Sequence, residues 1–291
     1  MDIRNKASNV MKKTIILALA LTLSTLGASA QKQITILHTN DTHSCIMPLN
    51  ANLADTMMAG RAGYLRRAAL VQQERKLDAD LLLLDSGDFS QGSPYYTMFK
   101  GDVEVGLMNI MGYDAATIGN HEFDFGLENM ARIFRLAEFP IVCANYDFTG
   151  TPVEGLVKPY ITLKRKGLRI GIFGVSPKLK GLVDENKCKG VAYLDPVATA
   201  DSIATVLREK EKCDLVICLS HLGWMLMPPD PDDQQLIARS HDIDVVLGGH
   251  SHTYLQQLQF VDNANGRLIA DDQNGKNAIF VGKLTVNMSK K

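Results

Sequence analysis

Seven short apolar runs recur along the chain, with segments of helical period between them, and this alternation limits the fold more than any other feature. The runs are ITILHTND (34–41), DLLLLDSGD (80–88), AATIGNHE (115–122), FPIVCAN (139–145), LRIGIFGVS (168–176), CDLVICLSH (213–221) and DIDVVLGGH (242–250). Each has a continuous apolar centre, as expected of a strand covered on both faces. Five intervening segments, 61–76, 103–112, 127–138, 195–212 and 232–240, carry apolar residues at three-and-four spacing and predict amphipathic helices. Strand–helix alternation predicts an α/β layered domain. LKRKGLRI (163–170) predicts a hairpin turning at Lys166-Gly167, and 278–287 predicts closing strand structure. No repeat or linker divides the 291 residues, so a single domain is expected.

The first thirty residues stand apart. From Met11 the chain has two lysines, an apolar stretch from Thr14 to Leu26, and then Ala28-Ser29-Ala30. That is the layout of a secretory signal peptide, and its apolar part is too short to span a bilayer. The expectation is a start at Met11 and a mature protein beginning near Gln31, secreted or periplasmic, with no stable membrane anchor. A net charge of −1 excludes a surface built for nucleic-acid polymers, so an anionic substrate needs a local cationic device. Five cysteines cannot all pair within one chain. Cys143, Cys213 and Cys218 lie in strand-like runs and read as small buried hydrophobes, while Cys45 and Cys188 are left open to a disulfide.

Chemistry collects where the predicted strands end. The first run delivers Asp41 and His43, the second Asp88, the third Asn120, His121 and Glu122, a later one His221, and the last His250 and His252. Ligands in open α/β sheets bind just outside the carboxyl ends of strands, so these five loops are expected to converge. Imidazoles and carboxylates without thiolates suit divalent Zn, Mn or Fe. In Asp41-x-His43 and His250-x-His252, side chains two apart project to one side if the segment is extended. His38, inside an apolar run, reads as a satisfied core histidine, and His241 as a surface one.

The order Asp-x-His, Gly-Asp, Gly-Asn-His-Glu, His, Gly-His-x-His resembles the calcineurin-like metallophosphoesterases. LHTNDTHS, DSGDFSQGSPYYTMFKG, GNHEFDFG and GGHSHT more narrowly resemble the catalytic domain of the secreted 5′-nucleotidases, over roughly Ile34 to Thr253. The resemblance implies two central mixed β-sheets flanked by helices and a dinuclear metal centre. Asp41, His43 and His252 would hold one ion, Asn120, His221 and His250 the other, and Asp88 would bridge them. Zn or Mn would be the first choice, with Fe, Mg or Ca as alternatives. His121 would act at the phosphate and Asp124 would orient it. Glu122 is left with a structural hydrogen bond, and Phe123 and Phe125 with packing that fixes the loop and not with base stacking.

The implied reaction is release of phosphate from nucleotides or related small phosphomonoesters. Alternatives are a phosphodiesterase acting on cyclic nucleotides such as 2′,3′-cyclic phosphates, and a non-catalytic metal-binding module of a split nucleotidase. That family's second, nucleobase-stacking domain has no room before Lys291. The expectation is a catalytic domain, residues 31–291, that leaves base recognition to a separately encoded nucleotide-binding domain.

Overall fold

A computed structural model describes residues 32–225 and 230–288; the signal-peptide reading of residues 1–30 lies outside them. The described chain divides into two units. Ile34–Val286 is the larger, and the smaller contributes only Lys32, Gln33, Asn287 and Met288, with Gln33 Nε2 donating to Asn287 Oδ1 at 3.1 Å.

The strands are β1 (Lys32–Thr39), β2 (Leu82–Asp85), β3 (Ala115–Ala116), β4 (Ile141–Val142), β5 (Tyr146–Asp147), β6 (Val157–Lys158), β7 (Tyr160–Arg165), β8 (Leu168–Val175), β9 (Ala192–Tyr193), β10 (Leu215–Ser220), β11 (Val245–Leu247), β12 (Gln259–Asp262), β13 (Leu268–Asp272) and β14 (Gly282–Met288). The helices are α1 (Tyr64–Leu77), α2 (Pro94–Phe99), α3 (Asp102–Met111), α4 (Gly126–Leu136), α5 (Pro196–Glu209) and α6 (Asp233–Arg239). Two six-stranded sheets run β14-β1-β2-β3-β4-β6 and β12-β13-β11-β10-β8-β7, beside a small β5-β9 pair. In the first sheet β1, β2, β3, β4 and β6 are parallel; in the second the parallel centre is edged by antiparallel β7 and β12. The α/β layered expectation holds.

All five predicted helices form. A sixth, α2, follows from local signals: Pro94 sits at its first turn and Ser93 caps it, accepting from the Tyr95 amide at 3.1 Å. The β7–β8 hairpin turns at Lys166 and Gly167 with φ of 49° and 70°, the two positive values that match the twist of paired strands.

The predicted strand over 115–122 is mostly not one. Only Ala115–Ala116 pair, and a 3-10 turn at His121–Phe123 takes over, because the amides beyond Thr117 turn to the loops that carry the polar residues. The sheets meet closely: a Cβ at Gly174 of β8 would lie 2.1 Å from Thr117 Oγ1 and 2.3 Å from the Val142 carbonyl. Only a glycine permits that approach. One apolar core packs α1, α3 and α4 on the first sheet, and a second packs α5 and α6 on the other. Among the described residues, all five cysteines are free thiols, Cys45 buried like Cys143, Cys213 and Cys218, and Cys188 half-buried. No described helix is long and apolar enough to cross a membrane.

Candidate metal centre

The ends of β1, β2, β3, β10 and β11 come together at one place. Within each of three groups the ligating atoms lie within 4.8 Å of one another: Asp41, His43 and His252; His43, Asp88 and His121; Asp88, His221 and His250. The groups share His43 and Asp88, so they form one continuous cluster with Asp88 in the middle. The expected ligands are therefore brought together, and Asn120 lies between two residues that touch Asp88: a Cβ at Gly119 would sit 2.1 Å from Asp88 Oδ1, and the His121 amide donates to that oxygen at 2.9 Å.

The reach is not the extended one read from Asp-x-His. Asp41, His43, Asp88, His250 and His252 have φ of 47°, 45°, 54°, 74° and 56°. Left-handed backbone at a non-glycine residue costs about 1–3 kcal/mol and persists where surrounding contacts over-determine it. Those contacts are visible. The Asp41 amide donates to the Gly87 carbonyl at 2.9 Å and the His43 amide to the Asp88 carbonyl at 3.0 Å, tying the first two loops together. Asp41 itself accepts from the His250 amide at 2.9 Å and from Asn40 Nδ2 at 2.6 Å. Asn40 is locked in turn by the Gly275 carbonyl and the Asn274 amide. Its positioning role escaped the sequence reading, although it stands next to Asp41.

Glu122 is fully buried and accepts backbone amides from Asp88 at 3.1 Å, Ser90 at 3.1 Å and Gly119 at 2.6 Å. Its carboxylate binds two ligand loops to each other, which is the structural hydrogen-bonding role expected. Burial and the nearby Asp88 charge raise its pKa to about 7. His38 is buried and pairs with Asp272 at 2.9 Å, and His241 is half-exposed and pairs with Asp201 at 3.0 Å. Neither joins the cluster.

The donor set fits divalent cations. His221 Nδ1 donates to the Ser86 carbonyl at 2.6 Å, which leaves the Nε2 lone pair facing Asp88 Oδ2, 3.1 Å away. Among the described residues that Nε2 has no hydrogen-bond partner, nor has buried Asn120 Oδ1. His43 Nε2 and His252 Nε2 lie 2.9 Å apart. Orphaned lone pairs converging on carboxylates are costly in a dry interior unless a cation satisfies them. Electrostatics tell the same story. Burial opposes charge on His221, yet Asp88 and Asp41 override it and lift its pKa to about 10. Burial and charged His221 push His250 down to about 4. Burial would raise Asp88, but the histidines around it, His221 foremost, hold its carboxyl well below the usual range. The cluster demands positive charge beside Asp88.

Beside the cluster, His121 Nδ1 lies 3.1 and 3.3 Å from the two Asp124 oxygens. Burial lowers the His121 pKa, but the Asp124 hydrogen bond and the Asp88 charge outweigh it and the net shift is upward. Of the two flanking phenylalanines, Phe123 is buried against Tyr146 and Phe148 as expected. Phe125 packs on Tyr96, ring centroids 5.1 Å apart, while 38% of it stays exposed. The 3-10 turn ends before it, and Phe125 stands at the N-cap of α4.

Residues 34–254 match the family model described as calcineurin-like phosphoesterase. The chain belongs to the calcineurin-like phosphoesterases. It is 32% identical over 259 residues to a rat (Rattus norvegicus) 5′-nucleotidase, covering 86% of this chain and 43% of that one. It is 29% identical over 290 residues to the Bacillus subtilis trifunctional nucleotide phosphoesterase YfkN, covering 89% of this chain and 18% of the relative. Among solved structures, a Thermus thermophilus 5′-nucleotidase precursor superposes with a TM-score of 0.79 at 30% identity, covering 88% of this chain and 51% of that one. The chain thus spans less than half the length of these curated relatives.

Gly119 gives a direct test of the centre's construction. A methyl group there would overlap Asp88, 2.1 Å from Oδ1 and 2.7 Å from its amide nitrogen. Gly119→Ala is expected to displace that carboxylate and to lower bound metal per chain, measured by elemental analysis of folded protein. Unchanged metal content would show that Asp88 is not needed to hold metal in this cluster.

Proposed function

We propose that this chain is a metal-dependent phosphomonoester hydrolase, 5′-nucleotidase-like, acting on nucleotides or related small phosphoesters. The observation that carries the reading is the shared-ligand cluster around Asp88 with the His121–Asp124 pair against it. Asp41, His43 and His252 would hold one divalent ion, and Asn120, His221 and His250 the other, with Asp88 between them. Zn or Mn suits these donors best. When bound, two such ions would supply Lewis acidity at the phosphate oxygens and lower the pKa of a water that could then attack.

The chain's own groups do the rest. Asn40 and the His250 amide fix Asp41, and Glu122 fixes the loops that carry Asp88 and Asn120. Asp124 holds His121 at Nδ1, leaving Nε2 to meet the phosphoryl group or the leaving oxygen. The upward shift of His121 keeps it charged further toward neutral pH, as a proton donor requires.

The test is phosphate release from adenosine 5′-monophosphate and from a mono-aryl phosphate. Chelated protein is expected to be inactive, and added Mn²⁺ or Zn²⁺ to restore it. No metal-dependent release from either ester by folded protein would defeat the reading, and faster turnover of a bis-aryl phosphate would move it to phosphodiesters. We also read the chain as exported, on the Lys-rich, apolar and Ala-Ser-Ala layout of residues 11–30. Sequencing the mature N-terminus should find it near Gln31.

A further inference from the structure

A cavity of about 630 Å³ opens directly beside the His121–Asp124 pair. Its walls include Ser93, Tyr96 and Thr97 of the α2 segment, Asp124, Phe125 and Lys187. That volume is in the range of small-molecule sites, roughly 300–1,000 Å³. The wall is built and held. Tyr96, itself buried, donates its hydroxyl to the His121 carbonyl at 3.2 Å, and Lys187 Nζ donates to the Asp124 carbonyl. Ser93 is fixed by Ser44 Oγ at 2.6 Å, so its backbone reports to the His43 loop.

Phe125 is the unusual member. Its ring is steadied by Tyr96, with centroids 5.1 Å apart, and by Lys100 Nζ, 5.5 Å from its centroid, yet 38% of the residue stays exposed and it lines the cavity. A flat apolar surface held still by its neighbours, and ringed by hydroxyls and an ammonium, suits a ligand with the same mixture. We infer that this cavity receives the leaving group of a nucleoside 5′-monophosphate, with the nucleobase stacked on Phe125 and the sugar hydroxyls against Ser93 and Thr97. This rests on the phosphomonoesterase reading above and adds to it: the catalytic domain carries a base-reading surface of its own, where the sequence assigned base recognition to a second domain. Phe125 is a specificity residue, acting on the leaving group and not on the phosphate.

The experiment compares the metal-replete protein with Phe125→Ala and Phe125→Trp on adenosine 5′-monophosphate and ethyl phosphate, the latter having no ring to stack. Loss of a base–aromatic stack corresponds to about a tenfold or greater loss of affinity. Phe125→Ala is therefore expected to raise KM for the nucleotide about tenfold, with kcat little changed. The ratio of kcat/KM on the nucleotide to that on ethyl phosphate should fall with it, and Phe125→Trp should recover the ratio. An unchanged ratio in Phe125→Ala overturns the subsite while leaving the hydrolase intact. If wild-type protein turns over neither ester, the hydrolase reading fails separately. Calorimetric binding of adenosine 5′-monophosphate then decides the subsite, equal affinity in wild type and Phe125→Ala counting against it.

Discussion

Replacing Asp88 with Asn should abolish metal binding at full stoichiometry and cut kcat/KM by more than about 100-fold, the upper cost of losing a mere outer-shell partner of a metal ligand. The substitution is nearly isosteric, and an amide can still accept from the His121 amide as Oδ1 does now. It cannot present a second anionic oxygen to His221, 3.1 Å from Oδ2. Asp88 is also a buried anion at the middle of the cluster, so the variant removes negative charge that favours a cation there. Metal per chain by elemental analysis and turnover should fall together. A variant that keeps both ions and most of its activity would show that Asp88 is not the bridge.

His121→Ala should separate what Asp88→Asn joins. Proton donation by a positioned side chain is worth about 100- to 10,000-fold, so kcat is expected to drop in that range while bound metal and KM change little. Because a donor matters most for a poor leaving group, the loss should be smaller on a nitrophenyl phosphate than on a nucleotide. The pH profile adds an independent readout. His121 has its pKa raised, so the charged form is complete at low pH and is lost as pH climbs through that value. Asp124→Asn keeps an acceptor but removes the carboxylate charge behind the hydrogen bond that does most to raise it, and the alkaline limb should move to lower pH. Near-normal turnover in His121→Ala, or loss of metal with it, would reassign His121.

The layered fold and the convergence of five loops were legible because both rest on short-range signals: apolar runs, helical spacing, and polar residues at strand exits. What the sequence could not convey was how the ligands reach one another. Asp-x-His reads naturally as an extended pair, whereas the structure sets Asp41, His43, His250 and His252 in left-handed turns. Such turns are imposed by distant partners, the Gly87 and Asp88 carbonyls among them, which no local pattern encodes. The different exposure of the two phenylalanines was hidden for a related reason. Alternation in HEFDF places Phe123 and Phe125 alike, but a 3-10 turn between His121 and Phe123 buries the first and leaves the second half-exposed beside a cavity. The short α2 helix that completes this cavity had its cap, Ser93, and its Pro94 in plain view. Its six residues carry too little period to stand out.

In the proposed reaction two ions would act as one centre. The most direct measurement titrates metal-free protein with Mn²⁺ while following phosphate release from adenosine 5′-monophosphate. Activity is expected to rise until two equivalents per chain are bound and to stay flat beyond. Full activity with one ion, or release that ignores the metal altogether, would contradict the shared-ligand centre around Asp88.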